Sequence, residues 1–401
     1  MDANRRLRII VMGYVVRGPL AGPTWHHLQY VIGLKDLGHD VWYLEDSADH
    51  DSCYDPVQQM MVADPSYGLA YTQRVFSRAG VGDCWAYHDA HTGRWHGPAG
   101  ERMPALCRSA DLLLNVSGIN PLRPWVEAIP RRVLIDTDPV FTQVDILNYE
   151  EQRRFAQAHN AFFSFGESIG QPGCRVPDDG LPWQPTRQPV VLRAWAPGPP
   201  QPEGAFSTVM LWDSYVEREW AGQRYGMKSE EMERVLSMPA RSSQRFELVL
   251  GGPTAPHERL HALGWALADP LALTIDPWLY QDYMRASKAE FSVAKHGYVV
   301  SASGWFSERS AGYLACGRPV VVQDTGFSRH LPTGDGLLAF DTLDDALAAV
   351  DDVQSRYAHH CQAARELAEA QFDAAKVLGR MLEALDSHAT TIATTKAGDP
   401  P

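Results

Sequence analysis

Residues 289–331, AEFSVAKHGYVVSASGWFSERSAGYLACGRPVVVQDTGFSRHL, constrain the fold of this chain more than any other stretch. Phe291 to Ala294 is an apolar run of strand length, His296 to Ser307 a loop rich in glycine and serine, Ser310 to Cys316 a short helix, and Pro319 to Gln323 a second strand. Strand, loop, helix and strand in this order make a crossover between parallel strands. The loop then lies at the carboxyl end of its strand, where open α/β sheets bind ligands.

The start of the helix is suited to an anion. Glu308, Arg309 and Ser310 precede the small residues Ala311, Gly312 and Ala315, so free backbone N–H groups and the positive end of the helix dipole face the loop. A phosphate or diphosphate fits there, with Lys295 adding a cation from the preceding strand end. A capped helix after a surface loop is the plainer alternative.

The chain opens with a second unit of this kind. Leu7 to Met12 reads as a central parallel strand, Gly13 to Pro23 breaks it, and Leu28, Val31, Ile32, Leu34 and Leu37 fall at helical spacing, with Thr24 as N-cap and Gly38 as the stop. GHDVWYLED supplies the next strand. Gly13, Gly18 and Gly22 are too widely spaced for the G-x-G-x-x-G of dinucleotide binders, so NAD is discounted. His26 and His27 begin the helix, and one of them facing the loop would serve as general base or contact a phosphate; packing is the alternative.

Residues 47–108 show no clean period, and the aromatic-rich segment Val81 to Pro104 reads as loops or an insertion. Ala110 to Gly118 and Arg131 to Pro139 are strands, the second ending in Asp136, Thr137 and Asp138. Two carboxylates two residues apart suit metal binding or acid/base work, and they are also ordinary turn formers; a polar site role is assigned to Asp138 and no metal site is expected. Ala161 to Glu167 is the last strand of this half, followed by proline-rich connecting chain. Residues 197–204, APGPPQPEG in context, form a stiff linker between an N-terminal domain (1–196) and a C-terminal one (205–386). In the latter, Ala205 to Tyr215 leads into a loop with Trp212 and Ser214, Arg245 to Gly252 and Leu271 to Leu279 are further strands, and Lys228 is a second candidate phosphate cation. Leu343 to Val353 and Tyr357 to Leu385 are amphipathic helices, and 387–401 read as a disordered tail.

With 401 residues, 45% hydrophobic, the chain is long enough for two cores. A net charge of −13 argues against a general nucleic-acid or membrane-surface binder. No apolar run reaches the roughly 20 residues of a membrane span, and a cytoplasmic location is expected. Six scattered cysteines without a C-x-x-C pair suggest neither a disulfide framework nor zinc.

The featured stretch resembles the donor-binding region of GT-B glycosyltransferases, in particular the large retaining family whose glutamate-containing helix ends A-C-G-x-P-V-V. The matching letters here are Ala315, Cys316, Gly317, Pro319, Val320 and Val321, followed by Asp324, Thr325 and Gly326. The resemblance extends from about Leu273 to Leu385, and more loosely over the first 45 residues. It implies two Rossmann-like parallel-sheet domains facing a cleft, acceptor on the first and nucleotide-sugar donor on the second, with the last helix crossing back. The implied activity is metal-independent transfer of a sugar to an acceptor hydroxyl or amine, with no cofactor beyond the donor and no nucleic-acid partner. The family's helix glutamate falls at Gly312, so Glu308, one turn earlier, is its candidate replacement. Lys295, Arg309 and the Ser310 amide would hold the diphosphate, Trp278 would lie where the base stacks, and Gly13, Gly22 and Thr24 belong to the loop that closes on the donor. A nucleotide-sugar epimerase or hydrolase of the same fold, or a non-catalytic nucleotide-sugar binder, remains the alternative.

Overall fold

The computed structural model of the chain describes residues 5–396. Two sheets organise it. The first has eight strands in the order Gln184–Pro185, Ala161–Ser164, Arg131–Asp136, Leu112–Val116, Arg8–Met12, Asp40–Asp46, Trp85–Asp89 and Arg94–His96. All neighbours pair in parallel except the last two strands. The second has six parallel strands in the order Ala266–Ala268, Phe246–Gly251, Phe206–Leu211, Ala289–Ser292, Val320–Gln323 and Leu337–Phe340. Central strands such as Ile9 to Met12 and Val320 to Val322 are apolar and buried on both faces, as parallel sheets covered by helices require.

Each sheet reverses its strand order beside its first strand, Arg8–Met12 in one and Phe206–Leu211 in the other. The crevice at such a reversal is open at the carboxyl ends of the strands. Here the two crevices face each other. The halves are joined at the back by the final helix, Ala374–Lys396, which lies on Ala21–Asp36; a Cβ on Gly33 would stand 2.7 Å from Leu378 and 2.9 Å from Ala374. Trp25 adds an indole N–H bond of 2.8 Å to the Pro277 carbonyl.

Several elements differ from the sequence reading. Residues 271–279 are not a strand. Asp269 and Asp276 each cap a helix that begins with proline, Pro270–Thr274 and Pro277–Ala286, and their carboxylates accept from the N–H groups of Leu271 and of Trp278 and Leu279. Two Asp-Pro starts outweigh an apolar run that by length alone fits a strand. The aromatic segment 81–104 holds two strands of the first sheet rather than loops, since Trp85–Asp89 is buried throughout. Helix Ala21–Asp36 starts before Thr24, whose hydroxyl donates back to the Leu20 carbonyl at 2.7 Å instead of capping. Gly38 ends the helix at φ +89°. The C-terminal helical region divides into Tyr357–Gln371 and Ala374–Lys396, and the second continues as far as Lys396 through positions read as a disordered tail. Residues 397–401 lie outside the described residues. The six cysteines are all free, and no helix among the described residues is long and apolar enough to cross a membrane.

Candidate active site

A cleft of about 420 Å³ lies between the two sets of strand ends. From the first half Tyr14, Gly22, His26 and Asp138 face it; from the second come Ser214, Lys228, Lys295, Glu308 and Arg309. Eight of the sequence-chosen residues therefore meet in one place, although they come from six separate loops and helix starts.

Three cations converge on the cleft. Lys295 follows the strand Ala289–Ser292 and reaches across to Asp138, its Nζ 2.9 and 3.1 Å from the two carboxylate oxygens and 2.6 Å from the Tyr215 hydroxyl. The hydroxyls of Tyr215 and Tyr298 also donate to Asp138. Arg309 is committed inside the second half: it donates to Glu290 at 2.6 Å, to the Val209 carbonyl at 2.9 Å and to Ser292 at 2.9 Å. Its charge is felt in the cleft, but its N–H groups tie the helix start to the sheet.

Lys228 is different. It begins the helix Lys228–Glu233, is only 9% exposed, and among the described residues makes no hydrogen bond or ion pair. Burial, reinforced by the positive charges of Arg309 and Lys295, pulls its ammonium down to about 7. Removing an amine from water without an anion is unfavourable. The cleft is a cation-rich site with a place for an anion.

Glu308 opens the helix Glu308–Ala315, whose cap is Ser307, with Ser307 Oγ accepting from the Arg309 N–H. It too makes no hydrogen bond or ion pair among the described residues. Gly312, one turn on, packs against Trp195: a Cβ there would sit 3.0 Å from the indole and 3.4 Å from the Met284 sulfur. Position 312 thus faces an aromatic wall that leaves no room for a glutamate.

His26 is 6% exposed and bridges Gln188 and Ser117, with Nδ1 2.5 Å from Gln188 Oε1 and Nε2 3.4 Å from Ser117 Oγ. Burial lowers its pKa, partly countered by Glu308. The imidazole is therefore neutral at pH 7.

The remaining sequence-chosen residues do not reach the cleft. His27 is fully buried, with Nδ1 2.7 Å from the Pro23 carbonyl, and Gly13 is small because that ring lies against it: a Cβ would be 2.1 Å away. Thr24 pairs with Tyr71 at 2.8 Å in the core. Trp212 fills the core of the second sheet. Trp278 packs where the halves meet, with the Arg78 guanidinium 3.8 Å above its ring and Trp25 5.9 Å away, so it is not placed to stack on a base in the cleft. The Ser310 hydroxyl is buried without a partner beside a separate small cavity of about 20 Å³. Asp136 turns inward, where Ser164, Thr142, Gln143 and the Asp138 N–H saturate it; burial raises its pKa. It is a turn clamp that holds the Asp138 backbone and shares no site with the Asp138 carboxylate. Among the described residues no group of three or more His, Cys, Asp or Glu side chains is gathered in a way that suits a metal ion.

Sequence reasoning missed Tyr14, Tyr215, Tyr298, Trp305 and Gln188. The stretch 296–307, read as a loop, begins with a short helix, His296–Ser301, that carries Tyr298; Trp305 follows in the loop proper, stacked 4.3 Å from it, and Tyr215 directly follows Ser214. A count of aromatics in those loops was the available signal. Gln188 sits in proline-rich connecting chain and carried none.

No protein-family model matches the sequence, and no curated protein matches it either. Solved structures do. An alpha-glucosyltransferase in complex with UDP and a 13-mer DNA containing a HMU base superposes with a TM-score of 0.56 at 11% identity, covering 95% of this chain and 100% of its own. A sucrose-phosphate synthase from Thermosynechococcus elongatus gives 0.52 at 12%, covering 96% and 100%. Anabaena HepE in complex with UDP-glucose gives 0.53 at 12%, covering 94% and 99%. At such identities the likeness is one of fold, and the fold is that of the GT-B glycosyltransferases, two parallel α/β halves with their switch points facing one cleft.

Proposed function

We propose that the chain transfers a sugar from a nucleotide-diphosphate donor to an acceptor hydroxyl or amine. The observation that carries this is Lys228: a buried side-chain amine on the cleft that has no ion-pair partner among the described residues, set with Lys295, Arg309 and the first turn of Glu308–Ala315, fits a multiply charged anion. A diphosphate supplies that charge. UDP and UDP-glucose are the ligands of solved proteins that share the fold.

In this reading Lys228, Lys295 and the helix N–H groups bind the diphosphate and stabilise it as it leaves. Glu308 accepts from ribose or sugar hydroxyls, and neutral His26 faces the hydroxyls of the bound sugars from the first half. The acceptor approaches over Tyr14 and Gly22. Because Asp136 and Asp138 are already engaged by protein donors, the donor's charge is met by protein cations, with neither a metal nor a further cofactor. The net charge of −13 argues against a nucleic-acid partner, and the reading includes a cytoplasmic location.

A panel of nucleotide-sugars tests it. A cognate donor at a hundred times its Kd adds about 2.7 kcal/mol of stability and raises the melting point. Lys228→Met should weaken donor binding by about one to two decades and shrink that rise. A panel without any stabilising nucleotide-sugar would overturn the reading.

A further inference from the structure

Gln188 comes from connecting chain after the first sheet, yet its side chain reaches the helix that carries His26. Its amide nitrogen donates to two carbonyls, that of His26 at 3.3 Å and that of Pro189 at 3.0 Å. Rotating the amide would place its oxygen against both carbonyl oxygens, so the orientation is determined by the network. The oxygen must then face His26 Nδ1, 2.5 Å away, and that nitrogen must carry the proton.

The other ring nitrogen is left with a lone pair. It points to Ser117 Oγ, which itself pairs with Thr137 Oγ1 at 2.9 Å. Ser117 follows the strand Leu112–Val116 in a left-handed conformation, φ +65°, that is unfavourable for a non-glycine residue. The strain is retained at the position that sets a hydroxyl beside His26 Nε2, and such strain collects at functional sites. His26 and Thr137 both line the cleft.

We infer that Gln188 is a positioning residue, which fixes the His26 proton on Nδ1 so that Nε2 accepts a hydrogen bond, directly or through Ser117, from a substrate hydroxyl in the cleft. This deepens the transferase reading and rests on it: the substrate group recognised is a hydroxyl acting as donor, at neutral pH. The charged and titratable groups around the ring are Glu308 and Arg309 from Glu308–Ala315, Tyr280 from Pro277–Ala286, His27 and Tyr30 on its own helix, Tyr14 from the loop after the first strand, whose hydroxyl also bonds Ser117, and Asp138 at the cleft mouth. Of these Glu308 favours the imidazolium, and burial opposes it more strongly.

The test uses the full chain labelled with ¹⁵N-histidine. Long-range ¹H–¹⁵N spectra, assigned with His26→Gln, should show the Nδ1–H form of His26 in the wild type at pH 7. Gln188→Glu keeps the size of the side chain and places a carboxylate on Nδ1. It should raise the His26 pKa by about one to three units and move the acid limb of the pH–rate profile upward by the same amount, with a lower melting point because the second carboxylate oxygen faces the His26 and Pro189 carbonyls. Gln188→Met should let the two tautomers mix and lower kcat by at least about tenfold, within the range of a lost acid–base contact. An Nε2–H tautomer in the wild type, or a His26 pKa indifferent to Gln188→Glu, overturns the inference. The tautomer is read from the wild-type spectrum and needs no donor to bind. Failure of the nucleotide-sugar panel would remove the transferase reading, a result distinct from the wrong tautomer.

Discussion

Lys295 and Asp138 form an ion pair across the cleft, ammonium from the second half and carboxylate from the first, at 2.9 Å. Asp138 receives Tyr215 and Tyr298 as well, so all of its side-chain donors belong to the opposite half. A carboxylate so occupied is poorly placed to act as a base. It competes instead with any phosphate for Lys295.

Asp138→Asn should therefore release Lys295 to the ligand. Nucleoside diphosphate binding, followed by calorimetry, is expected to tighten severalfold. Stability should fall by about 1–3 kcal/mol, since an ammonium and two hydroxyls lose a charged acceptor. Weaker binding would show that Asp138 orients Lys295 for the ligand rather than competing with it.

Arg309 makes the opposite kind of prediction. Its partner Glu290 is fully buried, and one oxygen of that carboxylate already lacks a bond. Arg309→Met would strand a buried charge and should cost about 3–5 kcal/mol by denaturant unfolding. Arg309→Met combined with Glu290→Gln should recover much of the loss. A single variant as stable as the wild type would return Arg309 to the ligand-binding role.

The fold was legible where local signals agreed. Continuous apolar runs located the central strands, and Gly38 marked a helix end. Legibility failed at 271–279, where two Asp-Pro caps carry the information and an apolar count hides it, and at Trp85–Asp89, whose polar letters are buried by tertiary contacts that no periodicity reveals. In the site, charged residues at strand ends and helix starts were found because backbone geometry places them: Lys228, Lys295, Glu308, Asp138. Which neighbour faces the cleft depends on helix rotation, and that separates His26 from His27. Gln188 was invisible because its role is set by a contact 162 residues away in sequence.

Glu308→Gln isolates the charge at the helix start. With no partner to lose among the described residues, the change should leave the melting temperature nearly as it was. Loss of a charge-assisted bond to a ribose or sugar hydroxyl should weaken donor binding or turnover by about ten- to a hundredfold. Unaltered kinetics in a folded variant would take Glu308 out of the site.

Turnover should survive excess EDTA. A required divalent ion would act as the Lewis acid on the leaving diphosphate, and chelation would abolish activity. Activity lost to EDTA and regained with magnesium or manganese would replace Lys228 and Lys295 as the principal source of charge neutralisation.

Lys228 links binding to pH. In the ligand-free protein its pKa is about 7, against 10.5 for an ordinary lysine. Between those values the unfolded chain holds a proton that the folded chain does not, so this group's contribution to stability rises with pH across that window and is least favourable below pH 7. Lys228→Met should accordingly stabilise the empty protein at pH 7, by about 0.5–2 kcal/mol, the range of a compatible stabilising change. A bound diphosphate reverses the balance, because it favours the ammonium. Above pH 7 the complex must take up a proton that the free protein lacks. Donor affinity should then fall as pH rises from 7 to about 8.5, approaching tenfold per pH unit, and calorimetry in buffers of different ionisation enthalpy should show uptake of nearly one proton at the upper end. In Lys228→Met both the uptake and the slope should disappear. Flat affinity across that range in the wild type would mean that Lys228 does not meet the phosphate.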